Sequence, residues 1–264
     1  MYSSERKKYL KQIKKEKILV IISQISILAF LIFIWEYAAY KEYINTFISS
    51  SPSKIIKTII SLHTNNNLYN HIGITVYETF LSFILGSLIG TIIAIILWWN
   101  KFLSKVIDPY LTILNSLPKV ALGPIIIIFC GANMKSIILM ALLISVIVTI
   151  MNVYSGFAST DINKINLLKS FKATKFQILK MVIIPSNYKI IISSLKINVS
   201  MSLIGIIMGE FLVSKEGIGY LIMYGSQVFN LNLVITGVII LAIVSYLMYL
   251  IVSYIEKILI KNKN

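Results

Sequence analysis

The chain has one cysteine, two histidines, one arginine (Arg6) and only ten acidic residues among its 264. Each shortage closes off a class of chemistry. Cys130, alone in an apolar run, can build neither a disulfide framework nor a metal cluster within the chain, and its expected role is packing. His63 and His71 lie eight residues apart, a poor spacing for two zinc ligands on one helix. None of the twelve glycines is followed by lysine, so the sequence carries no Walker-type phosphate loop. No serine, histidine and aspartate can be placed on converging elements, and the reading therefore assigns no catalytic residue, metal or cofactor. Charged residues make up 13% of the chain, too few to cover a soluble globule of this size.

What fills the chain is apolar: 57% of the residues are hydrophobic and the mean hydropathy is +0.84. They fall in long runs, and about 20 apolar residues cross a bilayer as a helix. The runs predict an all-α integral membrane protein with six transmembrane helices, at 18–39, 74–99, 119–131, 136–156, 190–213 and 233–255. The third run is short and reaches spanning length only if it begins back near Pro109, which leaves it punctuated by Pro118 and Pro124. The first run exceeds the roughly 7–15 residues of a signal-peptide core, and Trp35, Glu36 and Tyr37 at its far end read as interface anchors, so it is expected to be a retained helix. The predicted organisation is a basic segment 1–17, the first helix 18–39, an outer segment 40–71, a five-helix core 72–255 holding a cytoplasmic loop 157–189, and a tail 256–264. Lys196, inside the fifth run, has to lie near a helix end or snorkel.

Basic residues exceed acidic ones by 15, a balance that suits nucleic acid, an anionic surface or membrane topology. Their placement decides. With the amino terminus inside, the inner segments hold 18 lysines and arginines against five in the outer ones, Lys41, Lys54, Lys57, Lys135 and Lys215. The positive-inside rule then puts both termini in the cytoplasm. The lysines flank every inner end and form no single patch with interleaved aromatics, so nucleic acid is not an expected partner.

One inner segment is more than a connection. Asp161 can cap a helix over "INKINLLKSF", and Thr174 with Gln177 fits the capping-box pattern for a second helix. Ile162, Ile165, Leu168 and Phe171 recur every three residues, as do Phe176, Leu179 and Val182, with lysines mostly opposite. Pro185 is expected to stop the second helix or kink the start of the fifth span. The pattern fits an amphipathic loop lying on anionic lipid headgroups or a helical knob offered to a cytoplasmic partner.

The stretch "TDINKINLLKSFKATKFQILKMVIIP" (160–185) resembles the cytoplasmic loop of permease subunits of ATP-binding-cassette importers. That signature reads EAA, three residues, Gly, and then I-x-L-P. Asn166, Leu167 and Leu168 stand at the EAA positions, Lys172 at the glycine, and Pro185 at the expected spacing. Asp161, Ala173, Gln177 and Pro185 match the usual residues, whereas the Glu and the Gly are absent. Lys172 does not reach a positive φ as easily as glycine would. A second stretch, "LIGIIMGEFLVSKEGIGYLI" (203–222), resembles permeases of the nitrate, sulfonate, taurine and thiamine-precursor branch, with Glu210, Gly217, Gly219 and Tyr220 at the matching positions. Weaker similarities at 50–59 and 116–131 follow in the expected order, so the resemblance covers about residues 50–255.

The resemblance implies a type I importer permease fold in a bacterial-type plasma membrane. It also implies a second permease copy, most simply a homodimer, together with cytoplasmic ATPase subunits and an extracytoplasmic solute-binding protein. Asp161, Leu168, Phe171, Lys172, Ala173, Thr174, Gln177 and Pro185 would then contact the ATPase, and hydrolysis would belong to that partner. Glu210, with Gly217 and Gly219, is read either as pathway or gate or as a structural hydrogen-bonding group. Glu78 is read as interfacial, because a charge at mid-bilayer costs at least about 2.5 kcal/mol. Asp108 is a candidate cap. Ser82, Gly86, Gly90 and Ala94 recur every four residues and predict a face of close helix packing. Two rival functions remain: an ion-coupled secondary transporter using Glu78 and Glu210, and a non-transporting scaffold that recruits a cytoplasmic protein through 160–186.

Overall fold

A computed structural model describes residues 4–65 and 67–261, and every structural element among them is helical. Residues 1–3 of the predicted basic segment, and 262–264 of the predicted tail with Lys263, lie outside the described residues. In chain order the helices are α1 (Ser4–Tyr40), α2 (Thr46–Ser49), α3 (Pro52–Thr64), α4 (Asn67–Trp99), α5 (Lys101–Ser116), α6 (Gly123–Cys130) and α7 (Met134–Ala158). They continue with α8 (Ile162–Ser170), α9 (Lys175–Ile178), α10 (Ile184–Ser186), α11 (Tyr188–Val213), α12 (Ile218–Gln227) and α13 (Leu231–Lys261). Five helices, α1, α4, α7, α11 and α13, are long and apolar enough to cross a membrane.

The predicted third span is not one helix. It divides into α5 and α6, joined through a 3₁₀ turn at Lys119–Leu122 and bent by 92°, so a sixth crossing exists only as this broken pair. The cause is local. Leu117 is extended, as a residue before proline prefers, and Pro118 has no N–H to continue the ladder of α5. Pro124 then sits in the first turn of α6, where a missing N–H costs nothing. Pro109 lies inside α5 without ending it.

The described part of the basic segment and the first span form one continuous helix, α1. The most apolar stretch of α1 has no residue buried inside the chain, and Ala39 near its end is buried. Its C-terminal end is tied down: the Glu36 carboxylate accepts the Ser53 N–H at 3.0 Å, in the first turn of α3, where Ser51 caps and Pro52 opens the helix.

The interior is built by α4, α7 and α11. Lipid is as apolar as leucine, so tight contact between spans comes from small residues and polar bonds rather than from hydrophobic burial. Ser82, Gly86, Gly90 and Ala94 are all buried. A methyl group on Gly86 would overlap Ser145, and one on Gly90 would come within 2.6 Å of Thr149. At Gly209 of α11 an added methyl group would come within 2.9 Å of the Ile137 Cα of α7. Asn198 of α11 donates to Ser87 Oγ at 2.6 Å and to the Phe83 carbonyl at 3.4 Å, fixing α11 against α4. Lys196, left without a partner by sequence reading, pairs with Glu256 of α13 at 2.7 Å, and Ser193 donates to the same carboxylate.

Candidate functional site

The segment between α7 and α11 folds back on itself as the capping residues dictate. Asp161 accepts the Asn163 N–H at 2.8 Å and starts α8. At the far end of α8 the Lys172 N–H donates to the Lys169 carbonyl and the Ala173 N–H to the Leu168 carbonyl, the paired bonds of a Schellman stop. Lys172 occupies the left-handed position with φ +55°. The backbone thus takes the conformation that glycine would adopt easily, with a lysine bearing the strain. Thr174 and Gln177 then form the expected capping box, with the Thr174 N–H to Gln177 Oε1 at 2.7 Å and the Gln177 N–H to Thr174 Oγ1 at 3.3 Å.

The two predicted apolar stripes do not stay on one side. Ile165, Leu168, Ala173, Ile178, Leu179 and Ile183 turn inward onto Ala94, Val153 and Phe157 of the spans. Ile162, Leu167, Phe171 and Phe176 face outward, with Phe171 74% exposed. Two departures from a plain α-helix explain the split. Phe171 caps α8, just before the chain reverses at Lys172. A π-helical turn at Leu179–Ile183 then shifts the phase, where Pro185 has no N–H to give the Met181 carbonyl. Pro185 itself lies in the short α10, which follows the π-turn without a break in the helical backbone and ends at Asn187, the residue before α11. Asn187 closes the base of the loop by donating to Thr160 Oγ1 at 2.7 Å and to the Ile183 carbonyl at 2.9 Å.

At the opposite end of the spans, α12 begins on Gly217, which has no side chain to cap it. Its first N–H groups are met by other helices. The Gly217 N–H donates to His71 Nδ1 at 2.9 Å, Ile218 to Thr75 Oγ1 at 2.8 Å and Gly219 to Glu210 Oε2 at 2.6 Å; Tyr220 also donates to the Glu210 carboxylate. Thr75 in turn donates to Glu210 Oε1 at 2.6 Å. An acid at a helix N-terminus is also favoured by the helix dipole. Glu78 lies against Glu210, with its Oε2 buried and without a hydrogen-bond partner among the described residues. Glu78 and Glu210 are 3% and 1% exposed. Gly217 has φ +105°, and a methyl group on Gly219 would come within 2.7 Å of Glu210 Oε2. Tyr220 stacks on His71 on one side and on Tyr224 on the other.

Structure therefore gathers Glu210, Gly217 and Gly219 into one cluster and the eight loop residues into another. Sequence reading missed His71, Thr75 and Asn187. A signal existed for the first two: stepping back along α4 from Ser82 by three and then four residues gives Thr79, Thr75 and His71, all buried on the face already marked by Gly86 and Gly90. Asn187 follows Pro185 with no pattern to single it out.

Residues 86–262 match the family model described as the binding-protein-dependent transport system inner membrane component. A Bacillus subtilis (strain 168) permease protein named for aliphatic sulfonates transport is 27% identical over 89% of this chain and 86% of its own. A formylaminopyrimidine transport permease protein of Halalkalibacterium halodurans is 26% identical over 72% of this chain and 75% of its own. The taurine transport system permease protein of Escherichia coli K12 is 21% identical over 86% and 84%. Among solved structures, a chain of the MetNI methionine ABC transporter in an inward-facing conformation superposes with a TM-score of 0.65 at 18% identity, covering 74% of this chain and 97% of that one. That likeness is one of fold. The family match runs from the middle of α4, through the folded-back loop, to the end of α13, and on that ground the chain belongs to the binding-protein-dependent inner membrane components, the permeases of ABC importers.

Proposed function

We propose that the chain is the pathway-forming subunit of an ATP-driven importer, working as a homodimer with both termini in the cytoplasm, and that the loop 160–186 is its contact with separate ATPase subunits. One observation carries the reading. The loop is anchored inward by Ile165, Leu168, Ile178, Leu179 and Ile183, yet it holds Leu167, Phe171 and Phe176 out from the spans. An apolar knob fixed to a rigid base suits a part that transmits movement, because it needs shape and no catalytic group. Asp161, Lys172, Thr174 and Gln177 set the shape of the knob, and Ala173 and Pro185 seat it.

Closure of the ATPases on ATP would move this loop with α7 and α11, to which it is packed, and switch the path between its outer and inner openings. An extracytoplasmic binding protein would deliver the solute. The names of the relatives favour a small sulfonate, taurine or a pyrimidine as cargo. Glu210, Gly217 and Gly219 belong to the outer gate in this reading, with Glu210 acting as its clamp. Glu210→Gln should reduce uptake more than it reduces the amount of chain in the membrane, and equal loss of both would leave the residue a structural role alone.

The contact of Glu78 with Glu210 is the one feature that favours a proton-coupled carrier. Uptake into vesicles separates the two: the importer reading requires uptake that depends on ATP and survives a proton uncoupler. Loss of uptake on uncoupling would reject it.

A further inference from the structure

A cavity of about 810 Å³ opens where the end of α4 turns into α5 and faces the coupling loop. Its floor is apolar and buried: Leu97, Phe157 and Ile178 are each less than 5% exposed. Trp98 and Trp99, edge to face at 6.3 Å, stand at the same level. Four lysines line it, Lys101 and Lys105 from α5 and Lys169 and Lys175 from the loop, and no acidic residue does. None of the four is in an ion pair among the described residues. Ser104 and Tyr154, hydrogen-bonded to each other, add hydroxyls to the lining.

Four like charges drawn from two elements repel unless an anion lies between them, and the pair of tryptophans marks the level of the lipid headgroups. Basic pockets among spans on the cytoplasmic side suit anionic headgroups. We propose that this cleft binds the phosphate of an anionic phospholipid, whose glycerol and upper acyl chains lie on the apolar floor, and that the bound lipid ties the α4–α5 corner to the coupling loop. A free phosphate shares the chemistry of the lysines but leaves most of the volume and the whole apolar floor unused. The inference rests on the cytoplasmic placement of the loop, but the binding test in detergent is independent of orientation.

The full chain, purified in mild detergent, is titrated with phosphatidylglycerol or phosphatidylcholine of the same acyl chains, and bound lipid is counted by native mass spectrometry. Phosphatidylglycerol should be retained preferentially. The Lys101→Gln, Lys105→Gln, Lys169→Gln, Lys175→Gln variant should hold it at least about tenfold more weakly. Removing the same charge at Lys8, Lys11, Lys14 and Lys15 should leave it in place. Equal retention of the two lipids, equal loss in both variants, or displacement of the lipid by inorganic phosphate would each overturn the proposal. Should the cleft variant fail to fold, a Trp35→Phe chain reports the cleft through Trp98 and Trp99. Brominated phosphatidylglycerol should then quench more than brominated phosphatidylcholine, and equal quenching would be contrary to the proposal.

Discussion

The two ends of the spans are built on opposite principles. At one end, α12 is held by side chains of α4 and α11, through hydrogen bonds that run between buried groups and leave Glu210 1% exposed. At the other end, the loop 160–186 closes its own turns with Asp161, Thr174 and Gln177, packs one apolar face inward and leaves Phe171 74% exposed. Buried polar bonds fix a position, because each group left unpaired costs about 1–3 kcal/mol. Exposed apolar groups contribute little within one chain and gain value only when a partner covers them. The α12 cluster is therefore a joint made within the chain, and in the proposed function the loop is half of an interface.

Substitutions should keep these two behaviours apart. The largest effect is expected from Phe171→Asp, which puts a charge where a partner must bury an apolar knob. ATP-driven uptake should fall to background, with an unchanged level of chain in the membrane and an unchanged melting temperature in detergent. Glu210→Ala should do the reverse first, lowering stability by about 3 kcal/mol, because Thr75, Gly219 and Tyr220 lose their acceptor together. Thermal unfolding of the purified chain reads this, and a change below about 1 kcal/mol would mean that the clamp is not closed. Gly217→Ala should cost at least about 1–2 kcal/mol from the positive φ alone, with the added methyl group pushed into Glu210. The smallest changes lie in the loop and have opposite signs. Lys172→Gly should steady the loop by about 1 kcal/mol by relieving its φ of +55°. Thr174→Ala should loosen it by about 1 kcal/mol through the lost cap. Hydrogen exchange of residues 162–178 distinguishes the two.

The same contrast marks what the sequence made legible. Spans show as apolar runs, because lipid imposes length and composition on every residue of a helix. Caps show because they act within four residues, as at Asp161 and at Thr174 with Gln177. The phase of the apolar stripe was lost where the backbone leaves the α-helix, at the left-handed Lys172 and the π-turn before Pro185. Pro118 and Pro124 announced a break in the third span, but not its angle of 92°. Pairings across the fold, such as Lys196 with Glu256 or Thr75 with Glu210, join positions far apart in the chain and leave no local pattern.

The central claim is that the loop 160–186 is the coupling contact. Its most direct measurement is to isolate the tagged chain from its native membrane in mild detergent, identify what accompanies it, and assay the complex for ATP hydrolysis. The account predicts a stoichiometric ATPase subunit with the wild-type chain and its loss with Phe171→Asp. A wild-type chain that comes out alone without ATP turnover, or a Phe171→Asp chain that keeps its ATPase, would contradict it.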